Sequence, residues 1–151
     1  MKKSFLLFIL IIFLNQCGYE KVFSGKNLNI SIKEIKKENN IINNELSNAL
    51  LGILSDNKSK NYFKLELQTK KNTEIKSKNS KGDPSVFVIK LQTKIIVQDE
   101  ANNEFKKNFY KEMSYNNNDD KFVLSQYINE IEKILIKETV REIINYLVNI
   151  K

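Results

Sequence analysis

The chain has 151 residues and a formal net charge of +7, with 24 lysines and one arginine, Arg141, against 18 acidic residues. It contains no histidine and a single cysteine. Histidine-based acid–base chemistry, the commonest metal ligand and any internal disulfide are thereby excluded. Four glycines, none in a phosphate-binding spacing, leave no nucleotide loop. The expected class is a protein without catalysis, cofactor or metal. The lysines are spread along the chain instead of clustering as in a nucleic-acid groove, so an anionic partner or surface is expected and no nucleic acid.

Lys2 and Lys3 precede an unbroken apolar run over residues 5–14, and Cys17 follows. Ten residues make roughly 15 Å of helix, about half of a ~30 Å bilayer core. A basic start, a short apolar run and a cysteine at the cleavage point form a lipoprotein export signal. The reading assigns residues 1–16 to a signal peptide, Cys17 to lipidation, 17–26 to a tether and 27–151 to a single domain. Gln16 stands where such signals usually carry Gly, Ala or Ser, so an uncleaved anchor stays open as the alternative. From Cys17 onward 135 residues remain, with a charge of +5 once Lys2 and Lys3 are removed. That is enough chain for one core.

Leu28, Ile30 and Ile32 alternate with polar residues and predict a half-buried strand, broken near Glu34-Ile35 by a bulge or the strand's end. Asn39-Asn40 can cap a helix whose apolar face is Ile42, Leu46, Ala49, Leu50 and Ile53, with Asn44, Ser47 and Asn48 opposite and a stop near Asp56-Asn57. Phe63, Leu65, Leu67 and Thr69 mark the inward side of a second strand. Residues 70–81 then turn polar, with five lysines, and read as a solvated hairpin tip closed by Gly82-Asp83-Pro84-Ser85. The third strand has Phe87, Ile89, Leu91, Thr93, Ile95 and Val97 on one face. Residues 99–103 form a hairpin loop. The fourth strand carries Phe105, Phe109, Met113 and Tyr115 on one parity, interrupted by Lys107 and Lys111, as an edge or a bulge would allow.

Asp119-Asp120 reads as a cap before one long helix over residues 121–148. Its apolar stripe shifts from Leu124, Ile128, Ile131 and Leu135 to Ile136, Val140, Ile143 and Leu147, a rotation of about 100°. Either the helix bends over the sheet or one end packs on something outside the domain. The fold class expected is α+β, a two-layer sandwich in the order β-α-β-β-β-α. Its four-stranded sheet is mostly antiparallel, with the first strand parallel to its neighbour and both helices on one face.

Three stretches resemble LptE, the lipopolysaccharide-assembly lipoprotein family, in its alphaproteobacterial form. They are Cys17-Gly18-Tyr19, the helix segment Asn44-Glu45-Leu46-Ser47-Asn48-Ala49-Leu50, and Met113-Ser114-Tyr115-Asn116 leading into Lys121-Phe122-Val123-Leu124-Ser125-Gln126. The resemblance is one of pattern and covers the chain beyond the signal. It implies a lipid-anchored outer-membrane protein, exposed to the periplasm or held in the lumen of an LptD barrel as plug and assembly factor. Palmitate at Cys17 and lipopolysaccharide as the transported ligand are implied with it. Lys76, Lys78 and Lys81 are the candidate lipopolysaccharide contacts. The alternative is an envelope lipoprotein that captures an anionic ligand by itself or serves another envelope complex.

Overall fold

The computed structural model describes residues 28–55, 59 and 61–150. The signal peptide, Cys17, the tether and the expected helix stop at Asp56-Asn57 lie outside them. The described elements are β1 (Ser31–Lys37), α1 (Ile41–Leu54), β2 (Tyr62–Lys78), β3 (Pro84–Gln98), β4 (Glu104–Asn116) and α2 (Lys121–Asn149). The strands form a four-stranded sheet in the order β1-β2-β3-β4, parallel only between β1 and β2. This is the expected α+β architecture.

Alternation decides which face is buried. Phe63, Leu65 and Leu67 of β2, Ile89, Leu91, Ile95 and Val97 of β3 and Phe109 of β4 all lie in one core with residues of both helices. In register, Leu67 faces Ile95, and Thr69 faces Thr93, which in turn faces Phe109. The Thr69 and Thr93 hydroxyls, both buried, hydrogen-bond each other at 3.1 Å, so neither forfeits a partner.

β1 is displaced from the expected strand. Its register shifts between Ile32 and Glu34, which is the anticipated bulge, but the strand continues to Lys37. Ile30 is buried just ahead of it. The Asn40 side chain caps α1 by accepting from the Asn43 N–H at 2.8 Å. Ser47, expected on the solvent side, is buried, as is Asn43. The reason is that α1 packs against α2 as well as against the sheet, so its buried arc is wider than a single stripe.

α2 buries a face that changes along its length. Asp120 caps it, its carboxylate accepting from the Phe122 and Val123 N–H groups at 2.9 and 3.1 Å. Ile131 and Leu135 of the first stripe are buried, then Ile136, Val140, Ile143 and Leu147 of the second, with Thr139 and Ile144 added. The second stripe has no buried counterpart nearer the start of the helix, where Ser125 and Asn129 are exposed, and Asn149 at the far end of the first stripe's line is exposed too, so the buried face turns along α2 as expected. Before Ile131 no residue of α2 is fully buried. Lys111, which breaks the inward parity of β4, is an ion-pair partner of Glu142 on α2. β4 keeps continuous register with β3, so an edge position and this ion pair, without a bulge, accommodate the charge.

Candidate functional site

β1 and α1 cover only part of the sheet. The last β1 pair is Lys37 with Leu67, and the Asn40 side chain at the start of α1 reaches the Thr69 carbonyl at 3.4 Å. β2 and β3 run on as a ladder to Lys78 and Pro84. The stretch expected to be a solvated tip over residues 70–81 is thus mostly strand, and the turn itself spans residues 79–83. The Asn79 N–H donates to the Asp83 carbonyl at 2.8 Å, and Gly82 takes the positive φ of 89° that the turn needs. Thr73 and Ile75 continue the parity of Thr69, and the long apolar β3 beside them supplies a hydrogen-bonding template.

The first turns of α2 meet this distal end. The Asn117 N–H donates to the Ser85 carbonyl at 2.9 Å, and the Asn117 side-chain amide to the Pro84 carbonyl at 3.1 Å. Phe87 and Tyr115 stack on the inner face with centroids 5.5 Å apart. Burial pushes the Tyr115 hydroxyl's pKa up, with the Lys71 charge opposing. Around this stack the apolar surface is unusually open: Ile75, Val123 and Tyr127 are about half exposed, and Phe122 is 70% exposed. A groove of about 440 Å³ runs between the end of β4 and α2, with Val86, Tyr115, Val123, Leu124 and Tyr127 among its lining. Lys71 leaves the expected lysine cluster to pair with Glu132 at 2.8 Å, which ties α2 to the sheet.

The three candidate lysines share the distal end but not one environment. Lys76 sits where the β2 register shifts between Ile75 and Ser77. Its ammonium donates to the Ser114 hydroxyl at 2.9 Å, a bond that spans β3 on the open face. Val88, the β3 partner of Ser114, is buried on that face. Lys78 ends β2 and Lys81 lies in the turn. Both are exposed, and neither ammonium has an ion-pair partner among the described residues. Glu74, the expected internal counter-charge, is taken by Lys90 at 2.6 Å. That bond holds the Lys90 ammonium's pKa above its ordinary value. The carboxylate in the turn, Asp83, accepts from the Asn79 amide at 3.4 Å. Apolar surface stays open at one end of α2, a feature that the alternative of packing on something outside the domain requires. Its sequence signal is the run Phe122-Val123-Leu124, whose residues point in three directions of a helix that can bury only one.

The arrangement offers apolar surface beside mobile positive charge, suited to an amphiphilic anion. Among the described residues no group of three acidic or thiol side chains is placed to hold a metal ion. No described helix is long and apolar enough to cross a membrane.

No protein-family model matches the sequence, and no curated protein matches it. The fold is shared with solved bacterial lipoproteins. Rare lipoprotein B from Shewanella oneidensis superposes with a TM-score of 0.58 at 10% identity, over 78% of this chain and 92% of that one. A minor lipoprotein from Acinetobacter baumannii gives 0.57 at 12%, over 80% and 91%. Lipoprotein B from Nitrosomonas europaea gives 0.57 at 14%, over 78% and 83%.

Proposed function

We propose that this chain is an outer-membrane lipoprotein of the LptE kind, seated in an LptD-like barrel as plug and assembly factor for lipopolysaccharide transport. The observation that carries the reading is the fold likeness to rare lipoprotein B, which spans 92% of that chain. Rare lipoprotein B and LptE are two names for one family. The N-terminal pattern of Lys2-Lys3, an apolar run and Cys17 supports the same reading from a separate part of the sequence. In this role the protein performs no bond chemistry. It presents a rigid sheet, and Lys76, Lys78 and Lys81 at its distal end meet phosphates and acidic sugars as mobile point charges.

Two experiments test the reading. Affinity purification of the tagged protein from outer membranes is expected to recover a β-barrel partner in stoichiometric amount, and recovery of the protein alone would contradict it. Cys17→Ala is expected to abolish palmitate labelling while the domain still folds, and equal labelling of mutant and wild type would remove the anchor from the account.

A further inference from the structure

The open face of the sheet, opposite the helices, carries a second feature. Side chains there fall into cross-strand rows set by the register. Two neighbouring rows at the centre are Gln68-Lys94-Asn108 and Lys70-Gln92-Tyr110. These six side chains include no carboxylate. The rows on either side do: Glu66 lies beyond the first, and Glu112 beyond the second.

The lysines differ accordingly. At the border, Lys90 pairs with Glu74 at 2.6 Å and Lys106 with Glu104 at 3.7 Å. Inside the patch, Lys70 and Lys94 are exposed and, among the described residues, have no carboxylate within ion-pair distance. Glu66, the nearest acid in sequence to Gln68, accepts a hydrogen bond from the Gln68 amide at 3.1 Å, which fixes that amide at the edge of the patch. Tyr110 is 65% exposed, and a shallow depression of about 300 Å³ runs beside its ring and both free lysines.

We infer that this patch, Gln68-Lys94-Asn108 over Lys70-Gln92-Tyr110, binds an acidic oligosaccharide. Each side chain matches a part of such a ligand. A tyrosine ring offers an apolar surface with a polar tip to the C–H face of a sugar ring. Carboxamides both donate and accept, as pairs of neighbouring hydroxyls require. Ammonium groups meet a sugar carboxylate or phosphate as point charges. Strands about 4.8 Å apart and a same-face repeat of about 7 Å along the strand make the patch roughly 10 by 7 Å, the footprint of one or two sugar rings. A single-stranded nucleic acid is disfavoured, because it calls for a cationic track with several stacking rings, and this patch has two cations and one ring. The inference does not rest on the lipopolysaccharide reading, since it uses none of Lys76, Lys78 and Lys81.

The test uses the full chain in detergent, titrated with a galacturonic acid tetramer and followed through backbone amide shifts. Saturable shifts are expected at the six patch residues. Tyr110→Ala is expected to weaken binding at least tenfold, and Lys70→Gln with Lys94→Gln to weaken it similarly and to remove its salt dependence. The neutral maltotetraose is expected to bind at least tenfold more weakly. Lys133→Gln with Lys137→Gln, at exposed positions of α2, is expected to bind the tetramer as wild type does, which separates loss of this patch from loss of two surface charges elsewhere. Absence of saturable shifts, shifts centred on the helix-covered face, or tripolyphosphate competition with no effect of Tyr110→Ala would each overturn the proposal. The last result would mean adsorption of polyanions by charge alone.

Discussion

At the end of the sheet where β1 begins, the inner face lies under both helices. At the end where β2 turns into β3, it lies beside the first turns of α2 alone. The contrast shows in the side chains. Leu46, Leu50, Leu67, Ile95 and Ile143 are fully buried at or near the first end, whereas Ile75, Phe122, Val123 and Tyr127 stand open at the second. Burying a large apolar side chain contributes about 1.5–3 kcal/mol, so the first end holds the stability. The second leaves apolar surface beside unpaired lysines, an arrangement that does little for the fold and suits contact with a ligand or partner.

The sharpest way to break this comparison is to charge the middle of the sheet. Leu91→Asp is expected to cost several kcal/mol, a large share of a typical ~5–15 kcal/mol stability, because an unpaired carboxylate would sit where Leu91 is 1% exposed. Its neighbour Lys90→Asp, on the open face, should be far milder. Thermal melts of the two variants check this, and equal stabilities would mean the inward parity is misassigned.

Truncations at the two ends sharpen it further. Leu46→Ala should cost about 2–5 kcal/mol, whereas Tyr127→Ala should stay near ±0.5 kcal/mol. Urea midpoints measure both, and a large loss from Tyr127→Ala would place the distal end in the core. The triple lysine-to-glutamine variant at Lys76, Lys78 and Lys81 should likewise remain within ~0.5 kcal/mol of wild type. It should nonetheless weaken binding of purified lipopolysaccharide, and wild-type binding should fall with salt. Unchanged binding at low salt would withdraw these three residues from the site.

The smallest effect concerns the loop joining β3 to β4 at the well-covered end. The Asp99 carboxylate accepts from the Asn103 side chain and N–H, each at 2.8 Å, and these bonds hold its pKa below the ordinary aspartate value. A lowered folded-state pKa means the contribution is fully present above the unfolded-state value and is lost as pH falls through the folded one. The group is exposed, so the effect is slight. Asp99→Asn should flatten the acid limb of stability against pH, measured by melts across pH 2–5 (roughly the carboxylate range). An unchanged acid limb would show that Asp99 contributes nothing to it.

Much of this fold was legible in one dimension because its strands alternate cleanly and its helices carry caps. Phe87 through Val97 gave one face without ambiguity, Asn40 and Asp120 sat where caps were expected, and the loop over residues 99–103 closed where its polar run predicted. The misread positions are those where a second neighbour changes the packing. Ser47 is buried because α1 has both the sheet and α2 beside it. Asn43, on the same helix, is buried as well. The polar half of β2 read as a tip because five of the 12 residues over 70–81 are lysines, although pairing with β3 decides its backbone. The patch around Tyr110 was invisible for a different cause: its six residues come from three strands, and only the register brings them into two rows.

The comparison between the two ends is tested most directly by a photo-cross-linking side chain placed in living cells at Tyr127, on the open end, and separately at Ile41, an exposed α1 residue on the covered half. The account predicts a lipopolysaccharide adduct from position 127 and none from position 41. An adduct from position 41 alone, or equal adducts from both, would contradict the assignment of the distal end as the working one.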